Sequence, residues 1–189
     1  GKSIDVRLGV VNIQYFEDVF SPTITMKMAV VNSGPTIKDD QGKSQSIYSG
    51  LPLRGGERVA VKIANKSGTL DFTTPEKYFY VSSISGIVRD GKRELFTLEL
   101  CSREAITNET SVIQRRFSTD LNMVDSVKII LEDYLKVDLA EKPLIADKTK
   151  HSYGFLGNLK KPFSTLVWLA SKAMPERGLA GFFFFETKR

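Results

Sequence analysis

Apolar and polar residues alternate along several stretches of the first hundred residues, which is the period of a β-strand with one buried face. The alternating stretches are residues 4–10, 24–30, 59–63 and 78–88. Asp90 and Gly91 then predict a hairpin turn, and a return strand over residues 94–101 places its large apolar side chains on one face, namely Phe96, Leu98 and Leu100. We therefore predict an antiparallel barrel or sandwich of five or six strands over residues 1–110.

The period of the pattern changes after Cys101. Residues 102–106 suit a short helical turn and residues 111–118 suit a strand, and Asn122 has the position of a helix N-cap. An apolar stripe at helical spacing follows Asn122, formed by Val124, Val127, Ile130, Leu131, Tyr134 and Leu135. We predict a small α/β domain over residues 111–189, so the chain belongs to the α+β class and is mostly β.

A second helix is predicted to begin at Pro162, because proline is favoured at the first helical position. Its predicted buried stripe consists of Phe163, Leu166, Val167, Ala170, Ala173 and Met174. Trp168 falls outside this stripe. Three placements remain open for its side chain: another subunit, the segment that begins at Phe182, or a broad core face.

Four consecutive phenylalanines, Phe182–Phe185, predict a strand near the end of the chain. Such a strand needs a neighbour on each side and cover on both faces. We expect either that the chain's own helices cover it, or that it is disordered or prone to aggregation, or that it pairs with a strand that this sequence does not contain. The last alternative makes the second domain incomplete and the chain a fragment of a longer protein.

Residues 32–50 are rich in polar and turn-forming residues, which predicts a surface loop or a long hairpin tip. The triplet Gly42, Lys43 and Ser44 has the ending of a phosphate-binding loop. That loop also requires a glycine at the position that Ile37 occupies here. We therefore reject nucleotide binding in this loop.

Composition and charge indicate an ordinary globular protein, because 41% of the residues are hydrophobic and 26% are charged. The net charge of +5 is spread along the chain, and this favours a solvated surface over a nucleic-acid site. The short basic clusters are Arg115–Arg116, Lys160–Lys161 and Lys188–Arg189. No apolar run reaches the roughly 20 residues of a membrane span, so we expect no membrane insertion.

Residues able to carry catalysis are few and scattered. The lone Cys101 excludes an internal disulfide and a cysteine-rich metal site, and no orienting motif surrounds Cys101 or the lone His151. Adjacent carboxylates on a strand face opposite sides, so pairs such as Glu17 and Asp18 do not act together. We predict no catalytic site, cofactor, metal or small-molecule substrate, although carboxylates brought together by folding stay open.

Three stretches occur in an order and spacing that resemble one protein family. The first is residues 15–22 before the strand at 23–31, and the second is residues 50–57 before the strand at 59–63. The third comprises Pro162 and Phe163, then residues 168–170, then residues 181–186. Together they resemble the structural proteins of the baseplate tail hub of contractile-tailed, T-even-like bacteriophages.

This resemblance implies a structural, non-enzymatic subunit. Members of the family form rings of three copies, in which two similar β domains per chain continue the tail tube and hold the central spike. DNA would pass through the lumen without specific binding, and the protein would be assembled in the bacterial cytoplasm into the virion. The chain would supply the N-terminal portion, with one tube-like domain and the start of an α/β domain.

The predicted contacts with other subunits or partner proteins lie in the 32–50 loop and near the C-terminus. The residues are Pro35, Lys38, Asp39, Lys43, Trp168, Phe183 and Phe185. A solvated loop is the alternative for the first four. Two other functions stay open: a hub or spike protein of a related contractile injection or secretion system, and a tail-associated cell-wall hydrolase.

Overall fold

Antiparallel strands dominate the first half of the chain and short helices the second, which confirms an α+β protein that is mostly β. The computed structural model describes residues 3–34, 37–38, 42, 44–50, 53–66, 68–91, 93–177 and 181–187. The chain divides into two compact units. The first contains Gly1–Phe16 and Thr25–Ser102, and the second contains Glu17–Ile24 and Arg103–Arg189.

The first unit is built on a five-stranded antiparallel sheet that curls into a half-barrel. The first unit as a whole contains the strands β1 (Val10–Phe16), β2 (Thr25–Ser33), β3 (Ile37–Lys38), β4 (Ser44–Gln45), β5 (Arg58–Val59), β6 (Val61–Asn65), β7 (Gly68–Phe72), β8 (Phe79–Asp90) and β9 (Arg93–Cys101). The order in the sheet is β1-β2-β9-β8-β5, while β3 pairs with β4 and β6 with β7. A short helix, α1 (Ile47–Gly50), follows β4, and single 3₁₀ turns occupy Arg7–Gly9 and Pro75–Lys77.

The core of the first unit lies on one face of this sheet. Alternate residues of β2 and β9 are buried, as the period-two pattern predicts, and they are Met26, Met28, Val30, Phe96, Leu98 and Leu100. The last residue pair of the β8–β9 ladder is Asp90 opposite Arg93, which confirms the hairpin predicted at Gly91. Gly91 has a φ of 55°, the left-handed conformation that a tight hairpin turn requires.

The strand predicted over residues 4–10 is wrong for most of its length, because β1 begins only at Val10 and Leu8 is fully exposed. The carboxylate of Asp5 accepts hydrogen bonds from the backbone N–H and Nε of Arg7, at 2.9 and 2.8 Å. These local bonds compete with a strand ladder and favour the 3₁₀ turn at Arg7–Gly9. The strand predicted over residues 59–63 is interrupted at Ala60, between β5 and β6.

The second unit is made of short elements around its own core. They are α2 (Arg103–Thr110), β10 (Arg116–Phe117), α3 (Met123–Ile129), a π-helical turn (Ile130–Tyr134), β11 (Phe155–Leu156) and α4 (Pro162–Lys172). The strand predicted over residues 111–118 is therefore reduced to the two residues of β10, paired with β11. The core residues are Ile113, Phe117, Ile130, Leu131, Leu135, Val137, Phe163, Leu166 and Leu169.

Both predicted helices form. The side-chain oxygen of Asn122 accepts a hydrogen bond from Val124 N–H at 3.1 Å, which confirms the N-cap. The stripe predicted on α4 is partly wrong, because Leu169 is buried while Val167 and Met174 are exposed. The helix ends at Lys172, so Met174 lies beyond the helical face to which the spacing assigned it.

The strand predicted at Phe182–Phe185 does not form within the described residues, where 181–187 carry no strand pairing. The four rings still alternate as in an extended chain. Phe182 and Phe184 are half-buried, whereas Phe183 and Phe185 are exposed. Phe184 packs on Phe163 with 6.3 Å between the ring centroids, so the chain's own core partly covers this segment.

Candidate assembly interface

One edge of the five-stranded sheet is formed by β8, which is longer than its outer neighbour. β5 pairs only with Phe79 and Tyr80, and two further backbone bonds join Val81 to Gly56 and Glu57, at 2.7 and 3.0 Å. From Ser82 to Asp90, no described strand pairs with the side of β8 that faces away from β9. This stretch is a free backbone edge, the kind of surface that strands of other chains join.

The opposite edge of the sheet is β1, which pairs with β2 on one side only within the described residues. Two free edges of antiparallel strands on one sheet are complementary in hydrogen bonding. Sheet edges of this kind are where strands of other chains can add.

The free part of β8 also carries exposed apolar side chains. Ile87 and Val88 are exposed. Leu95, which lies opposite Val88 on β9, is 37% exposed. Register shifts between Val81 and Ser83 and between Ser85 and Val88 bend the strand. Such bulges increase the local twist, so they restrict which strands fit this edge.

Three cations of the first unit form ion pairs across its strands. Lys27 lies 3.5 Å from Glu99, Lys62 lies 3.2 Å from Asp71, and Arg89 lies 3.2 Å from Glu94. The hydrogen bond from Ser83 and then the charge of Lys27 hold the pKa of Glu99 below its usual value. These cations are locally compensated and form no continuous basic stripe.

In the second unit, the C-terminal segment is held by an ion cluster at Glu186. The Glu186 carboxylate accepts hydrogen bonds from Thr23 Oγ1 and Ile24 N–H, both at 3.2 Å, and from Lys142 Nζ at 3.1 Å. Lys142 Nζ also donates to both carboxylate oxygens of Glu104, at 3.0 and 3.1 Å. One lysine thereby joins two glutamates that are far apart in sequence.

This cluster is largely buried, since the side chain of Glu104 is only 8% exposed and that of Lys142 is 23% exposed. Burial alone would lower the pKa of Lys142, but the Glu186 and Glu104 carboxylates outweigh it and raise the pKa above 10.5. No local pattern predicts the cluster, because its three members belong to segments with no common spacing.

The predicted interface residues of the second unit have different surroundings. Phe183 is 57% exposed and packs edge-on against Phe20, with 5.5 Å between centroids. Phe185 is also exposed. The Trp168 ring is half-buried and packs edge-on against Tyr153 and Phe155, at 5.7 and 5.6 Å. Within the second unit Trp168 therefore belongs to an aromatic cluster, and its contact with another subunit stays a prediction.

The predicted contact loop is described only in part. Lys38 lies in β3, opposite Ser44 of β4. Pro35, Asp39 and Lys43 lie outside the described residues. The role of this loop in binding a partner therefore stays a prediction.

The residues considered for catalysis occupy separate surroundings. Cys101 is buried at the end of β9, whereas His151 is exposed and its carbonyl accepts a hydrogen bond from Thr149 at 3.0 Å. Among the residues that the structure describes, no group of three or more His, Cys, Asp or Glu side chains is arranged to hold a metal ion. Within the same residues, no helix has the length and apolar character needed to cross a membrane.

In comparisons with known proteins, no protein-family model matches this chain, and no curated protein sequence matches it.

Proposed function

We propose that the protein is a structural subunit of a phage tail baseplate hub, where copies form a ring that connects the tail tube to the central spike. The observation that supports this most is the half-barrel sheet of the first unit, which has a free edge at β1 and another along Ser82–Asp90 among the described strands. A subunit with two such edges forms a closed ring by adding each edge to a neighbour.

The proposed ring contains three copies, in keeping with the family that the sequence resembles. Strand addition would cover the backbone groups of β8 and the exposed side chains of Ile87 and Val88 together. Closure matters physically, because an open chain of such contacts would end in exposed edges and grow into fibres. The tube-like character of the first unit is part of the same proposal.

DNA would pass through the lumen of the ring without being held. The ion pairs of Lys27, Lys62 and Arg89 with neighbouring carboxylates support this, because paired cations release little energy on binding phosphates. The tail tube and the spike would contact the two ends of the ring. The loop that contains Lys38 is our proposed contact with one of them, and the assembled protein would reside in the virion baseplate.

The experiment compares the mass in solution of the full chain with that of two edge variants, by size-exclusion chromatography with light scattering. Ile87→Lys and Val88→Lys place a charge on the free edge, and we expect both to abolish the three-copy ring. Val112→Lys is the matched control, since Val112 is also exposed but lies in the second unit. A wild-type chain that stays monomeric, even with tail-tube and spike proteins present, would overturn the proposal.

A further inference from the structure

A four-residue turn in the second unit, Gly157–Lys160, has an unusual residue at its tip. Lys160 N–H donates to the Gly157 carbonyl at 3.0 Å, and both central residues have positive φ, 51° at Asn158 and 57° at Leu159. Turns of this kind favour asparagine followed by glycine. Here a leucine holds the glycine position, where its Cβ crowds the backbone.

Nothing in the packing of the second unit explains this leucine, because its side chain is 63% exposed. The backbone of the turn, by contrast, is held by hydrogen bonds to the segment that contains Ile113 and Arg115. Leu159 N–H donates to Ile113 O at 3.1 Å, Ile113 N–H donates to Lys160 O at 2.9 Å, and Gly157 N–H donates to Arg115 O at 2.9 Å. A strained residue that the fold holds in place, with its side chain directed to solvent, points to a role in binding.

The surroundings of Leu159 are apolar and basic. Leu156 is 62% exposed and lies opposite Arg116 in the β10–β11 ladder. Arg115 and Lys161 are paired with Asp133 and Glu109. No described carboxylate pairs with Arg116 or Lys160, and the Lys160 amine lies over the Trp168 ring, 5.5 Å from its centroid. We call Arg116, Leu156, Leu159 and Lys160 the basic tip.

A surface of opposite character lies on the same unit, in residues 138–147. Ile145 is 73% exposed and is accompanied by the exposed carboxylates of Asp138, Glu141 and Asp147, none of which pairs with a described cation. Lys142 within this stretch is turned into the buried ion cluster, and Lys148 is the next cation along the chain. We call Asp138, Glu141, Ile145 and Asp147 the acidic segment.

We propose that the second unit binds a second copy of itself head to tail, with the basic tip of one copy seated on the acidic segment of the next. Each surface presents an exposed branched apolar residue among charges that form no ion pair with a described residue, and the charges of the two surfaces are opposite. The contact is heterologous, so every copy offers one surface of each kind. It does not depend on the strand pairing proposed for the first unit.

The test separates this contact from the ring, because every protein in it is the full chain carrying Ile87→Lys, which blocks the β8 edge. One further variant reverses the charge of the basic tip with Arg116→Glu and Lys160→Glu. Another reverses the charge of the acidic segment with Glu141→Lys and Asp147→Lys. Sedimentation velocity at 50 mM salt should show association of the Ile87→Lys parent, and each reversal should weaken it by about tenfold. An equal mixture of the two reversed variants should recover the association of the parent.

The substitution Leu159→Asn gives an independent readout. Asparagine tolerates positive φ, so we expect this variant to raise Tm by about 2 °C while association weakens. Val112→Asn, at an exposed position without positive φ, is the control and should change neither. The proposal is overturned if the parent does not associate, if the mixture fails to recover, or if Leu159→Asn lowers Tm or leaves association unchanged. If Ile87→Lys leaves the mass of the wild-type chain unchanged, the ring proposal fails but this contact does not.

Discussion

The two units of the chain are stabilised in different ways. In the first, long backbone ladders join β1, β2, β9 and β8, and alternate side chains fill one face of the sheet. In the second, the only described ladder is the two-residue pair β10–β11, and individual side chains connect the short helices. The first unit therefore depends on a repeated pattern, whereas the second depends on a few specific contacts.

This difference predicts where single substitutions are tolerated. A ladder distributes its stability over many backbone bonds, so the loss of one exposed side chain costs little. A buried ion cluster or a tight backbone approach concentrates stability at one residue. Matched substitutions in the two units therefore test the comparison directly.

The largest expected effect is that of Lys142→Met. It leaves the buried carboxylates of Glu104 and Glu186 without their shared cation, and we expect a loss of about 3 kcal/mol in the free energy of unfolding. The counterpart in the first unit is Lys62→Met, which removes an exposed ion pair with Asp71 and should cost less than about 1 kcal/mol. Urea unfolding measures both, and equal losses would contradict the comparison.

The next effect concerns Gly157→Ala. A Cβ at Gly157 would lie 2.5 Å from the carbonyl oxygen of Ile113, in a backbone fixed by hydrogen bonds. We expect a loss of about 2 kcal/mol, measured by thermal unfolding. Gly68→Ala in β7 is the control, since a Cβ there meets no atom within 4 Å. A Gly157→Ala protein as stable as the Gly68→Ala protein would show that the backbone around Ile113 moves to make room for the added Cβ.

These contacts also explain how much of the fold the sequence predicts. The strands β2, β8 and β9 and the helix N-cap at Asn122 follow from local spacing, because each residue's surroundings are set by its neighbours in the chain. The ion cluster of Lys142 joins segments that have no common period. It forms only when tertiary structure brings them together, so no sequence pattern indicates it.

The errors of prediction have the same origin. The Phe182–Phe185 segment has the composition of a strand, yet a strand is defined by its pairing partner, and no described residue supplies one. Likewise the two free edges of the sheet are properties of strand order, which alternation alone does not determine. Of the candidate interface, the sequence thus indicated single exposed aromatic residues but did not determine which strands form the sheet edges.

A smaller effect is expected at alkaline pH. The pKa of Lys142 is raised above 10.5 in the folded state by Glu186 and Glu104. A raised pKa means that the stabilisation is complete below pH 10.5 and is lost as the pH rises through the folded-state value. We expect urea unfolding between pH 9 and pH 12 to show a steeper loss for the wild type than for Lys142→Arg, whose charge persists. If the unfolding free energies of the wild type and Lys142→Arg fall in parallel with pH, Lys142 does not cause the loss of stability at alkaline pH.

The smallest effect is the acid counterpart in the first unit. Asp71 lies on the exposed β6–β7 hairpin, where the hydroxyl of Thr73 and then the amine of Lys62 lower its pKa from 3.8 to about 2. The hairpin should keep this stabilisation above pH 3.8 and lose it as the pH falls through 2. Carbon NMR of the Asp71 carboxyl measures the midpoint, and Thr73→Val should raise it more than Lys62→Met does. A wild-type midpoint near 3.8 would mean that this hairpin lacks the local bond, and the first unit would then depend on its ladders alone.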